Sequence, residues 1–238
     1  ASTRHSAGMP APRTMRPLHV LTVLGASLFL GCSEPAPPRA PTSNGSSEPS
    51  ADADGTRLAE DPPSHLRVAI LAGGCFWCLE GPLERIAGVG EVLSGYTGGD
   101  VEHVTYRQIG RGSTGHVEAV RVVYDPAQVT FAQILEVFVR NIDPTQDDGQ
   151  FCDRGTQYRS AIFVANAEER VAAEAALASA RATLGRAVVT EIRDVAPFWV
   201  AEDYHQDFYR THPAHYTQYR TGCGRDARLE QLWGSAPH

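Results

Sequence analysis

A cysteine between a predicted strand and a predicted helix is the residue of this sequence best suited to chemistry. Cys75 follows the apolar run 66–72, which predicts a buried strand, and precedes residues 79–86, which have the periodicity of an amphipathic helix. A thiol in this position lies beside unpaired backbone N–H groups and the positive end of the helix dipole. We therefore expect a lowered pKa for Cys75 and a reactive thiolate near neutral pH.

Two aromatic residues, Phe76 and Trp77, follow the cysteine directly. Adjacent side chains at a helix start point in different directions, so both rings cannot face the core. At least one of them is expected to wall a pocket beside the thiol.

A carboxyl group is predicted on an apolar face of the strand 116–124. Period-two alternation places Glu118 on the same face as Val120 and Val122, with Arg121 on the other face. Burial raises a carboxyl pKa and keeps the proton available, as a general acid requires. The alternative is a glutamate at a strand end that reaches solvent, and spacing alone does not choose between the two.

The elements that must position these groups alternate along the chain. Further strands are predicted at 89–96, 158–164 and 188–194 and further helices at 131–140 and from Asn166 to near Gly185, with polar-aromatic helix and loop after residue 202. Glu169 is placed to form a capping box with Asn166. This order predicts an α+β fold: a two-layer sandwich with a mixed, mostly antiparallel sheet and a split-βαβ (ferredoxin-like) core.

Composition argues against a nucleic-acid partner. The 238 residues carry a formal net charge of −7 with only 21 basic residues, and these form no block. Binding to phosphates requires a concentrated basic face. We expect no nucleic-acid partner and a monomer as the default state.

The first 32 residues are predicted to be an upstream extension and an export signal. Met15 is the natural start, and the apolar segment 18–30 is too short to span a bilayer as a mature helix. Residues 29–32 resemble the lipobox of bacterial lipoproteins, with Cys32 as the lipid-carrying residue. This predicts a protein exported to the bacterial cell envelope, on the periplasmic side, and held to the membrane only by a lipid. The alternatives are a plain cleaved signal, or a cytoplasmic protein whose true start lies elsewhere.

A tether and one globular domain are predicted downstream. Residues 33–65 contain almost no large apolar side chain, so they cannot offset the entropy of ordering. Residues 66–238 are long enough to build one core.

Seven sequence blocks resemble A-type peptide-methionine sulfoxide reductases. They occur in the family's order and together span nearly all of residues 68–220: 74–77, 95–99, 105–107, 115–118, 124–126, 153–160 and 201–206. The resemblance implies reduction of the S epimer of methionine sulfoxide, free or in oxidised proteins and peptides, to methionine. It also implies a catalytic domain over residues 66–238.

The resemblance assigns roles to individual residues. Cys75 is implied as the nucleophile that attacks the sulfoxide sulfur, and Glu118 as the acid that protonates the oxygen. Tyr106 and Tyr158 would hydrogen-bond that oxygen, and Asp153 would support the polar side through water.

Substrate binding and recycling follow from the same resemblance. Phe76 and Trp77 would hold the ε-methyl group of the substrate. A sulfenic acid on Cys75 would condense with a second thiol, and the resulting disulfide would be reduced by a thioredoxin-like protein or another dithiol, with no bound cofactor.

Three cysteines are candidates for the second thiol. Cys78 forms a Cys-x-x-Cys pair with Cys75 and replaces a glycine that many family members have. Cys223 lies in a glycine-flanked tail, at a position that does not coincide with the tail cysteines expected from the family. Cys152 directly precedes Asp153 and is either close to the pocket or a buried bystander.

Other functions remain as alternatives. A thioredoxin-like disulfide oxidoreductase would use only Cys75 and Cys78 and would give Glu118 no role. A non-enzymatic lipoprotein that binds Met-containing segments would tolerate replacement of Cys75. We predict no metal site, because the histidines fit no common ligand spacing: His116, His205, His212 and His215.

Overall fold

The structure is a computed structural model that describes residues 56–234. The predicted signal segment, Cys32 and the first part of the predicted tether lie outside the described residues. No helix within 56–234 is long and apolar enough to cross a membrane.

Seven strands form one sheet. They are β1 Arg57–Leu58, β2 Arg67–Gly73, β3 Val89–Thr97, β4 Val117–Tyr124, β7 Ser160–Val164, β8 Glu191–Asp194 and β9 Phe198–Val200. Their spatial order is β1-β9-β3-β4-β2-β7-β8. Neighbouring strands are antiparallel except β7 and β8, which are parallel. A separate hairpin pairs β5 Gly149–Gln150 with β6 Asp153–Arg154. The predicted α+β fold with a mixed, mostly antiparallel sheet is confirmed.

The helices lie in the connections and after the last strand. They are α1 Trp77–Glu84, α2 Tyr106–Ile109, α3 Phe131–Arg140, α4 Ala167–Leu184, α5 Phe208–Thr211, α6 Pro213–Gly222 and α7 Arg225–Trp233, with short 3₁₀ turns at Thr156–Tyr158 and Asp203–His205. Predicted helix α3 has the observed bounds. Helix α4 begins as predicted, because the Asn166 side chain accepts from the Glu169 N–H at 2.9 Å, and it ends at Gly185 with φ +61°.

One face of the sheet carries the main core. Strand residues such as Leu71, Val120 and Val122 pack there with side chains from α1, α3 and α4, including Leu79, and all four are fully buried. The alternation of β4 puts Glu118 on this same face, level with Tyr96 of β3. The sheet thereby presents a carboxyl to the start of α1.

Residues that the sequence assigned to the tether extend one edge of the sheet and reach its opposite face. Strand β1 pairs with β9, and the Glu60 carbonyl accepts from Arg121 at 2.6 Å. Thr56 donates to the Val104 carbonyl at 2.8 Å. Residues 57–60, which the sequence assigned to the tether, therefore lie against the sheet, because backbone pairing holds a segment that has few apolar side chains.

The sequence also placed the last strand too early. Strand β9 follows β8 after a break that contains Pro197, and it pairs with β3 on one side and with β1 on the other. Its three residues, Phe198–Val200, are buried. Three residues are too few to show an alternation of apolar and polar side chains, so the strand that corresponds to β8 was the last one predicted.

Candidate active site

A glycine turn at Gly74 brings the chain from β2 into the site. Gly74 has φ +78°, and an added Cβ would lie 2.4 Å from Cβ of Gln150. Gln150 is itself fixed by Asp143, whose N–H donates to Oε1 at 2.9 Å and whose carbonyl accepts from Nε2 at 2.8 Å. The tight turn therefore requires glycine and sets where Cys75 lies.

Cys75 and Cys78 form a buried thiol pair at the start of α1. They are 6 % and 1 % exposed, both are reduced, and a hydrogen bond joins their sulfurs. That hydrogen bond lowers the pKa of Cys78 to about 6, and the charges of Arg225 and Arg220 act in the same direction. Burial and the neighbouring Cys78 charge raise the pKa of Cys75 well above its usual value.

The expectation that the helix start lowers the Cys75 pKa is therefore wrong. Burial outweighs the helix dipole at Cys75, whereas the hydrogen bond from Cys75 lowers the pKa of Cys78, so the two sulfurs titrate as a pair in which Cys78 is the more acidic. Cys78 is the sulfur that ionises first.

Glu118 lies on the other side of the nucleophile. Its side chain is 2 % exposed, and Oε2 accepts from the Phe76 N–H at 3.2 Å. Burial raises the pKa of Glu118 well above its usual value, and the nearby Asp153 and Cys78 charges add to the shift. Glu118 therefore keeps its proton to higher pH than an exposed carboxyl does, and the solvent-exposed alternative does not apply.

Two tyrosine hydroxyls complete the polar side. Tyr106 and Tyr158 are hydrogen-bonded to each other, and burial raises the pKa of Tyr106 to about 12 and that of Tyr158 further. Glu202 positions the first of them, since it accepts from the Tyr106 N–H at 2.8 Å and from the Tyr96 hydroxyl at 2.9 Å. Both tyrosines are proton donors at any physiological pH.

Asp153 has a partner that the sequence did not predict. The Tyr219 hydroxyl, on α6, donates to its Oδ2 and is also within hydrogen-bond reach of the Cys75 sulfur. Burial raises the pKa of Asp153. No role for Tyr219 is predicted from the sequence. The sequence offers one indication of this contact, since Tyr219 lies one helical turn before Cys223.

The aromatic pair forms the apolar wall, but the two rings are fixed differently. Phe76 is 1 % exposed, with its ring centroid 5.0 Å from that of His205. Trp77 is half-buried, stacks on Phe208 at 3.7 Å between centroids, and donates from Nε1 to His205 at 3.2 Å. Its free surface faces the site.

These side chains line one small pocket of about 50 Å³. It is lined by all seven predicted nucleophile, acid, tyrosine, aspartate and aromatic residues together with Tyr219: Cys75, Phe76, Trp77, Tyr106, Glu118, Asp153, Tyr158 and Tyr219. A nucleophilic sulfur, a protonated carboxyl and three hydroxyls beside an aromatic wall suit attack on a neutral polar group next to an apolar chain.

The other two candidates for the second thiol are bonded to each other. Cys152 and Cys223 form a disulfide with a Cα–Cα distance of 5.0 Å. Within residues 56–234, the potential ligand atoms of Cys152, Asp153 and Cys223 lie close enough together to hold a metal cation. Their sulfurs are joined, so neither offers a thiolate. His116 and His205 bind backbone and tryptophan groups instead.

Comparisons with known proteins agree with this geometry. The family model of "Peptide methionine sulfoxide reductase" matches residues 67–237. "Peptide methionine sulfoxide reductase MsrA 2" of Rhizobium meliloti is 48 % identical over 168 residues, which cover 71 % of this chain and 84 % of that protein. "Peptide methionine sulfoxide reductase MsrA/MsrB" of Vibrio cholerae is 46 % identical over 175 residues, but these are 72 % of this chain and only 46 % of that longer protein.

Solved structures share the fold. Methionine sulfoxide reductase A of Corynebacterium diphtheriae superposes with a TM-score of 0.58 at 32 % identity, over 63 % of this chain and 77 % of that one. Reduced Mxr1 of Saccharomyces cerevisiae superposes with a TM-score of 0.61 at 28 % identity, over 66 % and 90 %. The alternatives of a thioredoxin-like oxidoreductase and of a non-enzymatic binding protein do not fit these matches. The chain belongs to the peptide methionine sulfoxide reductase family, oxidoreductases that reduce methionine sulfoxide in a thiol-dependent reaction.

Proposed function

We propose that this chain reduces the S epimer of methionine sulfoxide with Cys75 as nucleophile and Glu118 as acid. The observation that carries the proposal is the shared cavity, in which a sulfur, a protonated carboxyl and an aromatic wall converge. The Phe76 and Trp77 rings take the ε-methyl group, and the Tyr106 and Tyr158 hydroxyls bind the sulfoxide oxygen.

The first step transfers oxygen and two electrons. The Cys75 proton moves to the Cys78 thiolate, and the Cys75 sulfur attacks the sulfoxide sulfur while Glu118 protonates the oxygen. The attack joins the Cys75 sulfur to the substrate sulfur. The protonated oxygen then passes to Cys75, the substrate's S–O bond and the new S–S bond break, and the products are a Cys75 sulfenic acid and methionine. The substrate sulfur gains two electrons and the Cys75 sulfur loses two, so one thiol and one sulfoxide become one sulfenic acid and one sulfide.

Cys78 is proposed as the second thiol. It is already hydrogen-bonded to Cys75 and has a pKa of about 6, whereas Cys152 and Cys223 are bonded to each other. The Cys78 thiol, which took the Cys75 proton in the first step, gives that proton to the departing hydroxyl while its sulfur attacks the sulfenic sulfur. The Cys75 S–O bond breaks, water leaves, and a Cys75–Cys78 disulfide forms. An external dithiol must then reduce this bond, and a thioredoxin-like protein is the proposed donor.

Oxidised proteins and peptides and free methionine sulfoxide are the proposed substrates. On the sequence alone, we also propose export, attachment to the membrane only through Cys32, and a monomeric protein. Incorporation of labelled fatty acid into the wild type but not into Cys32→Ala supports the anchor. Equal labelling of both proteins contradicts it.

A single-turnover experiment tests the chemistry. One equivalent of methionine (S)-sulfoxide is added to the reduced enzyme without a dithiol, and released methionine, free thiols and disulfides are measured. One methionine and a Cys75–Cys78 bond per enzyme are expected, with no release from Cys75→Ser. Release without that bond contradicts Cys78 as the second thiol, and no release contradicts the activity.

A further inference from the structure

The Cys152–Cys223 disulfide takes no part in the proposed reaction, yet it lies beside the site. It joins the β5–β6 hairpin to the end of α6 across 71 residues of sequence. The Cys152 N–H also points to the Cys223 sulfur at 3.2 Å. Two segments that enter the site from different parts of the fold are thus linked covalently.

A second link joins the same two segments one step away. Asp153 follows Cys152 directly, and Tyr219 precedes Cys223 by one helical turn, marked by the Cys223 N–H bond to the Tyr219 carbonyl at 2.8 Å. The Tyr219 hydroxyl donates to Asp153. The disulfide therefore fixes the distance over which this hydrogen bond forms.

Helix α6 is held by ring contacts rather than by a buried face: His215 meets the rings of Trp77 and Phe208, and Tyr216 meets that of Tyr209. None of its ten residues is fully buried. The Tyr219 ring meets the Trp77 ring edge-on with 5.7 Å between centroids, and Arg220 pairs with Asp226 within the same tail. A helix without a buried face gains little from packing, so a covalent link has a large share in fixing its position.

We propose that the Cys152–Cys223 disulfide is a clamp that holds Tyr219 against Asp153 and Cys75, and that Tyr219 is a further catalytic residue. The proposal rests on the proposed function of Cys75. The hydroxyl has one proton, which it donates to Asp153, and it lies beside the attacking sulfur in the same pocket. It therefore orients Asp153 and is the donor nearest to charge that develops on Cys75. A dithiol that reduces the clamp, giving two thiols and an oxidised dithiol, releases Tyr219 and leaves Cys75, Glu118 and the aromatic wall unchanged.

Coupling between the two links tests the proposal. Single-turnover methionine release is measured on the full chain for the wild type, Tyr219→Phe, the pair Cys152→Ser/Cys223→Ser and the triple variant. Loss of one hydrogen-bond donor from the site is expected to slow release on the order of tenfold in Tyr219→Phe and in the pair. The triple variant is expected to be no slower than either. Tyr209→Phe, whose hydroxyl binds Glu84 away from the thiols, is the matched control and should match the wild type.

A second measurement separates a catalytic role from a structural one. Tyr219→Phe should move the alkylation of Cys75 to higher pH, because the hydroxyl favours the thiolate. Losses that multiply in the triple variant overturn the clamp. If Cys152→Ser/Cys223→Ser releases the first methionine at the wild-type rate and loses activity only in later turnovers, the disulfide is an electron relay and the clamp is overturned. If the pair does not fold, an unchanged rate and alkylation profile in Tyr219→Phe overturn the proposal. A wild type that releases no methionine instead defeats the proposed function.

Discussion

The backbone N–H of Phe76 donates to Oε2 of Glu118 at 3.2 Å, which ties the proposed acid to the first turn of the helix that carries the nucleophile. One N–H alone does not outweigh the burial of this carboxyl, so its pKa stays raised. The same contact fixes the direction of the carboxyl relative to the Cys75 sulfur. The acid is thus anchored to the residue that directly follows the nucleophile.

Replacement of Glu118 by glutamine should remove the proton and keep the shape. We expect single-turnover methionine release to slow by roughly 10²-fold, the usual contribution of a positioned acid. The wild-type rate should fall as pH rises through the raised pKa of Glu118, since the protonated form is active. The rate of Glu118→Gln should lack this fall. A glutamine variant with the wild-type rate and profile would exclude Glu118 as the acid.

Replacement of Cys78 by serine should affect the first step as well as recycling. Cys78 ionises with a pKa of about 6 and accepts the Cys75 proton, so the wild-type rate should rise as pH passes about 6. In Cys78→Ser no thiolate accepts the proton, and the buried Cys75 thiol stays protonated to higher pH. The pH at which the rate of methionine release rises should therefore move above neutral. The rate should drop roughly tenfold for each unit of that displacement. Identical pH profiles for release by both proteins would mean that Cys78 acts only after methionine has left.

Stability should depend on pH through a second buried carboxyl. Glu80 on α1 is fully buried and accepts from Ser94 at 2.8 Å, and burial raises its pKa to about 8. The unfolded chain releases this proton near pH 4.5, so the contribution of Glu80 is complete below that pH and is lost as pH rises toward 8.

The measurement is urea unfolding of Glu80→Gln and wild type at pH 5 and pH 7.5. The glutamine variant should lose less free energy of unfolding between the two pH values. Glu174→Gln, on the exposed face of α4, serves as the control and should follow the wild type. Parallel losses in all three proteins would show that Glu80 is ionised in the fold.

Gly74→Ala should disturb both fold and site. The residue has φ +78°, and its new Cβ would meet Gln150 at 2.4 Å, so the turn must shift and carry Cys75 with it. We expect a loss of more than about 1 kcal/mol in the free energy of unfolding, and slower methionine release. Gly185→Ala isolates the backbone effect, because its φ is +61° with nothing within 4 Å of an added Cβ. Equal losses in free energy of unfolding in the two variants would show that the Gln150 side chain moves away from the new Cβ at no cost.

Periodicity predicted the elements that carry long, repeated signals. The bounds of α3 and the caps of α4 follow from the sequence, and the alternation of β4 correctly placed Glu118 on the core face. Strands β1 and β9 were missed because two or three residues hold no pattern. Helix α2 was missed although Thr105 and Gln108 form a capping pattern at its start.

The electrostatics of the site could not be predicted from spacing. The helix dipole argument for Cys75 left out its burial, which depends on the whole fold, and the effect of the neighbouring Cys78 sulfur on the Cys75 pKa. The roles of Tyr219 and Glu202 depend on a tail that folds back over 66 and 96 residues of sequence to Asp153 and Tyr106. No local pattern encodes such contacts.

The pairing of β1 with β9 has a consequence for any shortened form of the protein. Arg57–Leu58 cover one side of Phe198–Val200, and the Ala59 N–H extends the pairing to the Phe198 carbonyl at 2.9 Å. A chain that begins at residue 66 would expose this apolar strand as an open sheet edge, with free N–H and C=O groups in a row. Such an edge invites pairing between molecules, so the shortened chain should aggregate where a chain beginning at residue 56 stays dispersed. The ten residues ahead of the predicted domain start thus guard the sheet against self-association.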